Sequence, residues 1–212
     1  MIRAVIFDVG GVFLHTAASE QRLRAFDALL GWKPDTLRLR LYSGPAWEAV
    51  STGKLSLEDY WQQVGKPLEA QLPAEFRRYC DNFYGAELDL ATVHLARRLR
   101  SRYAVGLLSN AVPLLARDIV AEPRFGGLFD AVVVSAIEGY RKPQPQAFEI
   151  AAQRLGVPPS ACVLIDDKER NILAAARVGM AGVQHRNALQ TERALRALGV
   201  GCESLRVIPW LV

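Results

Sequence analysis

Cysteine is scarce in this sequence, whose 212 residues contain three cysteines, Cys80, Cys162 and Cys202. An odd number of widely separated thiols excludes a disulfide framework and is typical of a reducing compartment. Long apolar runs are missing as well. Asp8 interrupts the apolar start of the chain, no cleavage-site pattern follows it, and no later run approaches the roughly 20 residues of a membrane span. We therefore expect a cytoplasmic protein that makes no contact with membranes.

Low-complexity segments and internal repeats are also missing, and half of the residues (50%) are apolar. A chain of this length and composition can bury a self-sufficient core, as one domain with or without a smaller insertion. The formal net charge is +4, and the densest basic run covers residues 97–102. Cations are favoured in the last turn of a helix, and the chain has no zinc-finger, helix-turn-helix or aromatic–basic pattern. We therefore expect no nucleic-acid partner.

Apolar runs of strand length alternate with amphipathic segments of helix length. The runs are continuously apolar, which is typical of strands covered on both faces, and the alternation indicates βαβ units. The sequence therefore predicts an α/β fold with a doubly wound parallel sheet. The predicted strands are residues 4–7, 103–108, 129–134, 161–165 and 181–184, and the predicted helices are residues 90–100, 112–121, 145–155, 170–178 and 190–198.

The stretch from residue 16 to residue 85 interrupts this alternation, because it contains helical segments and no strand-like run. Ser56, with Asp59 three residues later, indicates the capped start of one of its helices. We expect a helical cap in residues 16–85, inserted after the first strand of an α/β core that comprises residues 1–15 and 86–212. At that place it would hang over the carboxyl ends of the strands. The aromatic residues expected to form the small core of this cap are Trp32, Trp47, Tyr60, Trp61, Phe76 and Phe83.

Polar residues stand where four of the predicted strands end. Because the carboxyl ends of parallel strands share one edge of a sheet, we expect these side chains to converge there. Two like unit charges 4 Å apart repel by about 4 kcal/mol at an effective dielectric constant of 20, so the clustered carboxylates need compensating cations. Lys142 and a Mg²⁺ ion, which prefers oxygen ligands, would supply that charge. The strand-end residues are Asp8, then Ser109 with Asn110, then Ser135, and finally Asp166 with Asp167.

These residues fall in segments that resemble the motifs of the haloacid dehalogenase (HAD) superfamily, whose members are hydrolases with an aspartate nucleophile. The resemblance extends from the first strand to about Val183, and the helical stretch is similar to the cap that the family carries between its first and second motifs. The four motifs, in chain order, are FDVGGV (residues 7–12), LLSN (107–110), RKP (141–143) and IDDKERN (165–171).

The resemblance implies a phosphatase that acts on a small phosphorylated metabolite, with sugar phosphates among the candidates. Asp8 would attack phosphorus and form an aspartyl-phosphate that water then hydrolyses, which is covalent catalysis by a carboxylate. Ser109 and Asn110 would hold the phosphoryl oxygens through hydroxyl and backbone or amide donors. Lys142 would neutralise charge on Asp8 and on the phosphoryl group.

The resemblance also implies a magnesium site beside the nucleophile. Asp8 and Asp167 would bind Mg²⁺ through their carboxylates, and Gly10 would offer its backbone carbonyl. Asp166 and Asn171 would support the ion, through water. These are the oxygen ligands that Mg²⁺ takes in proteins.

The chain departs from the family's pattern at Gly10. Phosphatases of the family usually have a second Asp at this position, two residues after the nucleophile, as the general acid and base. Such help is worth roughly 10²–10⁴-fold in rate. We therefore expect a preference for better leaving groups, such as those of sugar 1-phosphates, acyl phosphates or aryl phosphates. His15 is open to two interpretations, a replacement proton donor or a surface or hinge residue.

Two other functions stay open at this point. A metal-independent 2-haloacid dehalogenase would use the same nucleophile on carbon and also lacks the second Asp, although the acidic pair Asp166 and Asp167 would then have no cation to hold. A non-catalytic protein that binds a phosphorylated ligand would explain the loss of a catalytic group at Gly10. The sequence leaves the physiological substrate and the oligomeric state undetermined.

Overall fold

The computed structural model describes residues 1–15, 17–81 and 88–201. Phe83, Cys202 and the expected boundaries of the cap lie outside the described residues. The strands are β1 (Ala4–Phe7), β2 (Ala104–Ser109), β3 (Ala131–Val134), β4 (Cys162–Asp166) and β5 (Ala181–Gln184). They form one parallel sheet in the order β3-β2-β1-β4-β5, so β1 is its central strand.

The first group of helices follows β1 and builds the cap. Its own apolar cluster contains Leu37, Leu41 and Phe76, with Trp32 and Trp61 packed against it. The helices are α1 (Ala17–Leu29), α2 (Thr36–Tyr42), α3 (Gly44–Val50), α4 (Leu57–Tyr60), α5 (Lys66–Glu69) and α6 (Ala74–Asp81), and a π-helical turn over Trp61–Gly65 joins α4 to α5. The described part of residues 16–85 is therefore helical, as expected.

The remaining helices pack on the sheet. Alternate residues of β1 point to opposite faces, as in any strand. Val5 and Phe7 pack in one apolar cluster with residues of α7, α8 and α12, while Ala4 and Ile6 pack in the other with residues of α10 and α11. The ranges are α7 (Leu90–Arg100), α8 (Leu114–Ala121), α9 (Ser135–Glu138), α10 (Pro145–Arg154), α11 (Glu169–Arg177) and α12 (Ala188–Ala197). Helices on both faces of a parallel sheet confirm the predicted fold class.

Local sequence signals explain where two of these helices begin. The hydroxyl of Ser56 accepts a hydrogen bond from the backbone N–H of Asp59 at 3.0 Å and donates to its carboxylate at 2.7 Å, which confirms the predicted cap of α4. The start of α8 is two residues later than predicted, because Pro113 occupies its N-cap position. No described helix has both the length and the apolar character that crossing a bilayer requires.

The cap and the core approach each other closely at Gly53, in the turn between α3 and α4. An ideal Cβ built on Gly53 would lie 2.4 Å from the backbone carbonyl oxygen of Ala136 in α9, and the φ of Gly53 is +71°. An ion pair between Glu48 of the cap and Arg141 of the core spans 4.0 Å on the same side. Glycine is therefore required at residue 53 both for its backbone conformation and for the contact.

We expect Gly53→Ala to lower the free energy of unfolding by more than Gly31→Ala does. Gly31 is the matched control, because its φ is +65° and a Cβ there would meet no described atom within 4 Å. Both variants carry the left-handed penalty of about 1–2 kcal/mol. Only Gly53→Ala adds a clash, which costs roughly 1–3 kcal/mol more. Denaturant titration of the two variants measures the difference, and equal losses would contradict the close contact of cap and core.

Candidate active site

The expected convergence of side chains occurs at the carboxyl ends of three neighbouring strands. Asp8 directly follows β1, Ser109 is the last residue of β2, and Asp166 is the last residue of β4. Because β2 and β4 flank β1 in the sheet, these three residues meet on one edge. Their short, continuously apolar strands hold this edge rigidly beneath the cap.

Lys142 lies at the centre of this edge and is 1% exposed. Its Nζ is 2.9 Å from Oδ1 of Asp8 and 2.6 Å from Oδ2 of Asp166. The same ammonium donates a hydrogen bond to the backbone carbonyl of Leu108 at 2.8 Å. All three N–H donors of an ammonium group are thereby directed at oxygen atoms. A buried lysine is thus paired in the way that a buried charge requires.

Electrostatics favour a charged lysine. Burial lowers the pKa of Lys142, but the neighbouring carboxylates of Asp8 and Asp166 outweigh it, so this pKa lies above its ordinary value. Burial raises the pKa of Asp8, and the lowering effect of Lys142 does not fully offset it, since Asp166 also raises it. One ammonium between two carboxylates leaves an excess of negative charge. A further cation beside Asp8 would favour its ionised form.

Asp166 is fully engaged by protein donors. Its Oδ1 accepts hydrogen bonds from the backbone N–H of Lys168 and from Nδ2 of Asn171, both at 2.9 Å, and its Oδ2 accepts from Lys142. Asp166 therefore orients Lys142 and fastens the start of α11. Oδ1 of Asn171 is buried and has no hydrogen-bond partner within the described part of the chain.

Asn110 fixes the backbone of the loop that carries Lys142. Its Nδ2 donates to the carbonyl of Lys142 at 2.7 Å, and its Oδ1 accepts from the N–H of Lys142 at 2.8 Å. This reciprocal pair uses the side-chain amide. Of the donors that we expect for a phosphoryl group, the hydroxyl of Ser109 and the backbone N–H groups around it are the ones not committed to Lys142.

Asp167 completes an acidic cluster with the two other aspartates. Asp8, Asp166 and Asp167 each have an oxygen within 4.8 Å of the others, a spacing at which they could hold a metal ion. Oδ1 of Asp167 is buried, accepts no hydrogen bond from any described group, and lies 3.9 Å from Nζ of Lys168. Burial raises the pKa of Asp167 to about 6, with the other two aspartates adding to the effect and Lys168 opposing it.

These features fit a divalent cation. Asp166 has both oxygens occupied by the protein, whereas Asp8 and Asp167 retain oxygens that can bind an ion, and Gly10 lines the same cavity. A buried carboxylate oxygen without a donor is costly unless a cation or water contacts it. Gly11 also matters here, because a Cβ on it would lie 2.8 Å from the carboxylate of Asp167.

A cavity of about 440 Å³ opens above these residues, between the core and the cap. Ser109, Asn110, Lys142, Asp167 and Asn171 line it together with Asp8 and Gly10. The sequence analysis missed several of its other residues. Adjacency to a predicted site residue was the available signal for three of them, namely Arg141 beside Lys142, Lys168 beside Asp167 and Arg170 beside Asn171. The missed charged residues that line it are Glu20, Arg38, Arg117, Asp118, Arg141, Lys168 and Arg170.

Two of the residues considered in the sequence analysis lie outside the cavity. The hydroxyl of Ser135 is fully buried and accepts a hydrogen bond from the backbone N–H of Ala111 at 3.0 Å, so it supports the turn after β2 and does not line the cavity. His15 is exposed and is not one of the residues found to line the cavity. Its surroundings favour the surface interpretation over a role as proton donor.

The chain is similar to known proteins of one hydrolase family. The sequence model of the haloacid dehalogenase-like hydrolases matches residues 2–179 of the chain. A sesquiterpene phosphatase of Aspergillus oryzae is 28% identical and aligns over 94% of this chain and 97% of its own length. A D-ribitol-5-phosphate phosphatase of Bacteroides thetaiotaomicron is 25% identical, over 93% of this chain and 98% of its own.

Solved structures share the fold. A HAD family enzyme from Bacteroides thetaiotaomicron, in a magnesium complex, superposes with a TM-score of 0.71 at 18% identity and covers 92% of this chain and 98% of its own. An L-2-haloacid dehalogenase of Xanthobacter autotrophicus, with chloropropionic acid covalently bound, superposes with a TM-score of 0.65 at 19% identity, over 95% of this chain and 85% of its own. At these identities the likeness concerns the fold alone.

We expect Lys142→Met to lower the free energy of unfolding at neutral pH by about 3–5 kcal/mol, because it leaves buried carboxylates without their cation. The pKa of Asp8, which burial already raises in the folded state, then rises further, because the lowering effect of Lys142 is removed. The variant therefore loses stability as the pH rises from the unfolded-state pKa of Asp8 to its folded-state pKa. Its loss of stability relative to the wild type shrinks on acidification towards pH 4. Denaturant titrations at several pH values measure this. Lys168→Met is the control, because Lys168 has a side chain 51% exposed, and a similar deficit there would contradict the buried-pair interpretation.

Proposed function

Since this chain belongs to the haloacid dehalogenase-like hydrolase family, we propose that it is a magnesium-dependent phosphatase that cleaves phosphate monoesters of small metabolites. The observation that carries the proposal is the ammonium of Lys142 buried between Asp8 and Asp166, at the floor of a cavity that also contains the unpaired carboxylate oxygen of Asp167. A doubly charged phosphoryl group needs this combination of a fixed nucleophile and fixed positive charge.

The proposed reaction has two displacements at phosphorus. An oxygen of Asp8 forms a bond to phosphorus while the ester P–O bond breaks, and the departing alkoxide takes a proton from solvent water. A second water then attacks the phosphorus of the aspartyl-phosphate. The bond to Asp8 breaks, the carboxylate is restored and inorganic phosphate leaves. Splitting the hydrolysis in this way is covalent catalysis.

The charged and polar groups around Asp8 have separate roles in this scheme. Lys142 keeps its proton, since its pKa is raised, and its contact at 2.9 Å fixes one oxygen of Asp8 and leaves the other for attack. The Ser109 hydroxyl and the backbone N–H of Asn110 would hold the phosphoryl oxygens. These positioned donors stabilise charge that builds up during the transfer. Asp166 and Asn110 act as positioning residues, because both of them hold Lys142.

Mg²⁺ fits the donor set beside the nucleophile. Asp8 and Asp167 would hold it through carboxylate oxygens and Gly10 through its carbonyl, with Asn171 as support. When bound, the ion neutralises charge on the phosphoryl group and on the acidic cluster. Ionised Asp167 is required for this role, and its pKa of about 6 implies that magnesium binding weakens below that pH.

The names of the relatives support a phosphorylated substrate. Two relatives that align over 94% and 93% of this chain are named as a sesquiterpene phosphatase and a D-ribitol-5-phosphate phosphatase. A dehalogenase is the second candidate, favoured by the haloacid dehalogenase among the structures of the same fold. The buried Oδ1 of Asp167 weighs against it. Without a metal that oxygen accepts no hydrogen bond from any described residue, and only the ammonium of Lys168 lies near it, at 3.9 Å.

A panel of phosphorylated metabolites, sampled with and without Mg²⁺, tests the function. We expect phosphate release that requires Mg²⁺, stops with EDTA, and falls by roughly 10⁴-fold or more in Asp8→Asn, because that variant lacks the nucleophile. The isosteric change keeps the shape of the site, and circular dichroism verifies its fold.

The other outcomes identify the rival functions. Chloride release from 2-chloropropionate that persists in EDTA would replace the phosphatase by a dehalogenase. Phosphate or Mg²⁺ binding without turnover of any substrate, and unchanged in Asp8→Asn, would indicate a binding protein. Either result contradicts the proposal.

We expect Gly10→Asp to raise turnover of alkyl phosphates more than turnover of p-nitrophenyl phosphate. A Cβ at Gly10 meets no described atom within 4 Å, so a side chain can start at this position without a clash. The added acid can protonate an alkoxide, a gain of roughly 10²-fold or more, whereas nitrophenolate needs no proton. Gly10→Asn is the control of equal size without the acid. Equal gains on both substrates would show that the leaving group does not limit the enzyme.

A further inference from the structure

The cavity above Asp8 is polar at its floor and apolar at the roof formed by the cap. The floor carries the carboxylates, the ammonium and the hydroxyl described above. The roof is contributed by α2, α3, α4 and the π-helical turn. Its side chains, called the aromatic roof from here on, are Leu41, Tyr42, Trp47, Leu57, Tyr60 and Trp61.

Three rings of the aromatic roof contact each other and form a continuous surface. Trp47 lies at the centre, with ring centroids 5.3 Å from Tyr42 and 6.0 Å from Tyr60, both in edge-to-face arrangements. Edge-to-face contacts of this kind stabilise the relative orientation of the rings. The roof is thus an ordered apolar wall rather than a set of separate side chains.

The polar atoms of two of these rings are engaged within the cap. The hydroxyl of Tyr60 donates a hydrogen bond to the backbone carbonyl of Leu41. The indole N–H of Trp61 donates to Oε2 of Glu69 at 3.2 Å. These donors therefore serve the fold of the cap, and the rings offer their apolar parts to whatever occupies the cavity.

The core side of the cavity continues the apolar surface. Leu14, Val112, Leu114 and Leu115 line it beside the turn that follows β2. Several charged residues also line the cavity, and four of its cations have an acidic neighbour. Arg38 lies 3.8 Å from Asp35, and Arg117 lies 3.0 Å from Asp118. Arg141 lies 4.0 Å from Glu48, and Lys168 lies 3.9 Å from Asp167.

Ser19 and Glu20 at the start of α1 add two polar side chains to the lining. A ligand rich in hydroxyl groups would place some of them against the apolar ring faces of the aromatic roof, which form no hydrogen bonds with them. Buried hydroxyl groups without hydrogen bonds are costly.

We infer that the substrate is the phosphate monoester of an apolar alcohol, whose hydrocarbon body packs against the aromatic roof. The inference rests on the proposed function, which places the phosphate at Asp8. The cavity volume of about 440 Å³ is within the range of about 300–1,000 Å³ found for small-molecule sites. Hydrophobic burial then selects the body, while the charged floor selects the phosphate.

A series of unbranched alkylphosphonates, from two to eight carbons, tests this inference in the wild-type protein with Mg²⁺. Phosphonates keep the anionic head, and their P–C bond resists hydrolysis, so calorimetry reads binding without turnover. We expect the dissociation constant to fall by about fourfold for each added methylene until the cavity is filled. A polyhydroxylated phosphonate of equal chain length should bind no more tightly than the two-carbon member.

Two pairs of cap variants test whether the gain in affinity per methylene comes from contacts with the aromatic roof. Trp47→Ala should at least halve the gain per methylene, whereas Trp32→Ala, which removes an indole outside the cavity lining, should leave it unchanged. Leu57→Ser is the milder test, because Leu57 is 36% exposed and its truncation removes less buried surface than that of Trp47. Leu39→Ser, at a residue 52% exposed outside the lining, is its control. Thermal unfolding verifies that the cap is folded in each variant.

The failures of the two proposals are distinguishable. A dissociation constant that does not change with chain length, or tighter binding of the polyhydroxylated phosphonate, would overturn the apolar substrate while phosphate release from the metabolite panel still supports a phosphatase. A clear dependence on chain length without any phosphate release would instead overturn the phosphatase and leave an apolar phosphate-binding site.

Discussion

The ammonium of Lys142, buried between Asp8 and Asp166, is the interaction on which the geometry of the site depends. Removing a cation from water is costly, and both carboxylates and a backbone carbonyl are needed to compensate. The compensation is incomplete for the acids, since burial still raises the pKa of Asp8. The site is therefore short of positive charge beside Asp8, which is where a phosphoryl group and a divalent ion would be recognised.

The fold supplies the rigidity that this charge arrangement requires. The strands that carry Asp8 and Asp166 are hydrogen-bonded neighbours in the centre of the sheet. The lysine comes from a loop, and a loop alone would position it loosely. Asn110, directly after β2, holds this loop in place, because its side-chain amide forms hydrogen bonds with both the N–H and the carbonyl of Lys142. Three strands thus determine the position of one ammonium group. The cap lies above this group and contacts the core at Gly53.

Much of this could be predicted from the sequence, and the part that could not has a physical reason. Asp8, Ser109 and Asp166 follow from continuous apolar strands that end on polar residues, because parallel strands share an edge. The helical stretch after β1 followed from its lack of strand-like runs. The exact partners of Asn110 could not be predicted, since hydrogen bonds between a strand end and a distant loop leave no periodic signal.

The aromatic roof also could not be predicted from the sequence pattern. Trp47 and Tyr60 are ordinary core aromatics by sequence pattern, and only the arrangement of short helices turns them towards the cavity. Ser135 has the same strand-end pattern as Ser109 yet supports a backbone turn. Pattern identifies the edge of the sheet, whereas the direction of each side chain depends on packing that the pattern does not contain.

The most direct test of Asp8 as the group that captures phosphate is borohydride trapping during turnover of an aryl phosphate with Mg²⁺, followed by peptide mass spectrometry. Borohydride reduces an acyl phosphate to an alcohol, so we expect Asp8 to be converted to homoserine. Asp166 and Asp167 should stay unmodified. Modification of another aspartate, or phosphate release at full rate with Asp8 intact after trapping, would contradict Asp8 as the nucleophile.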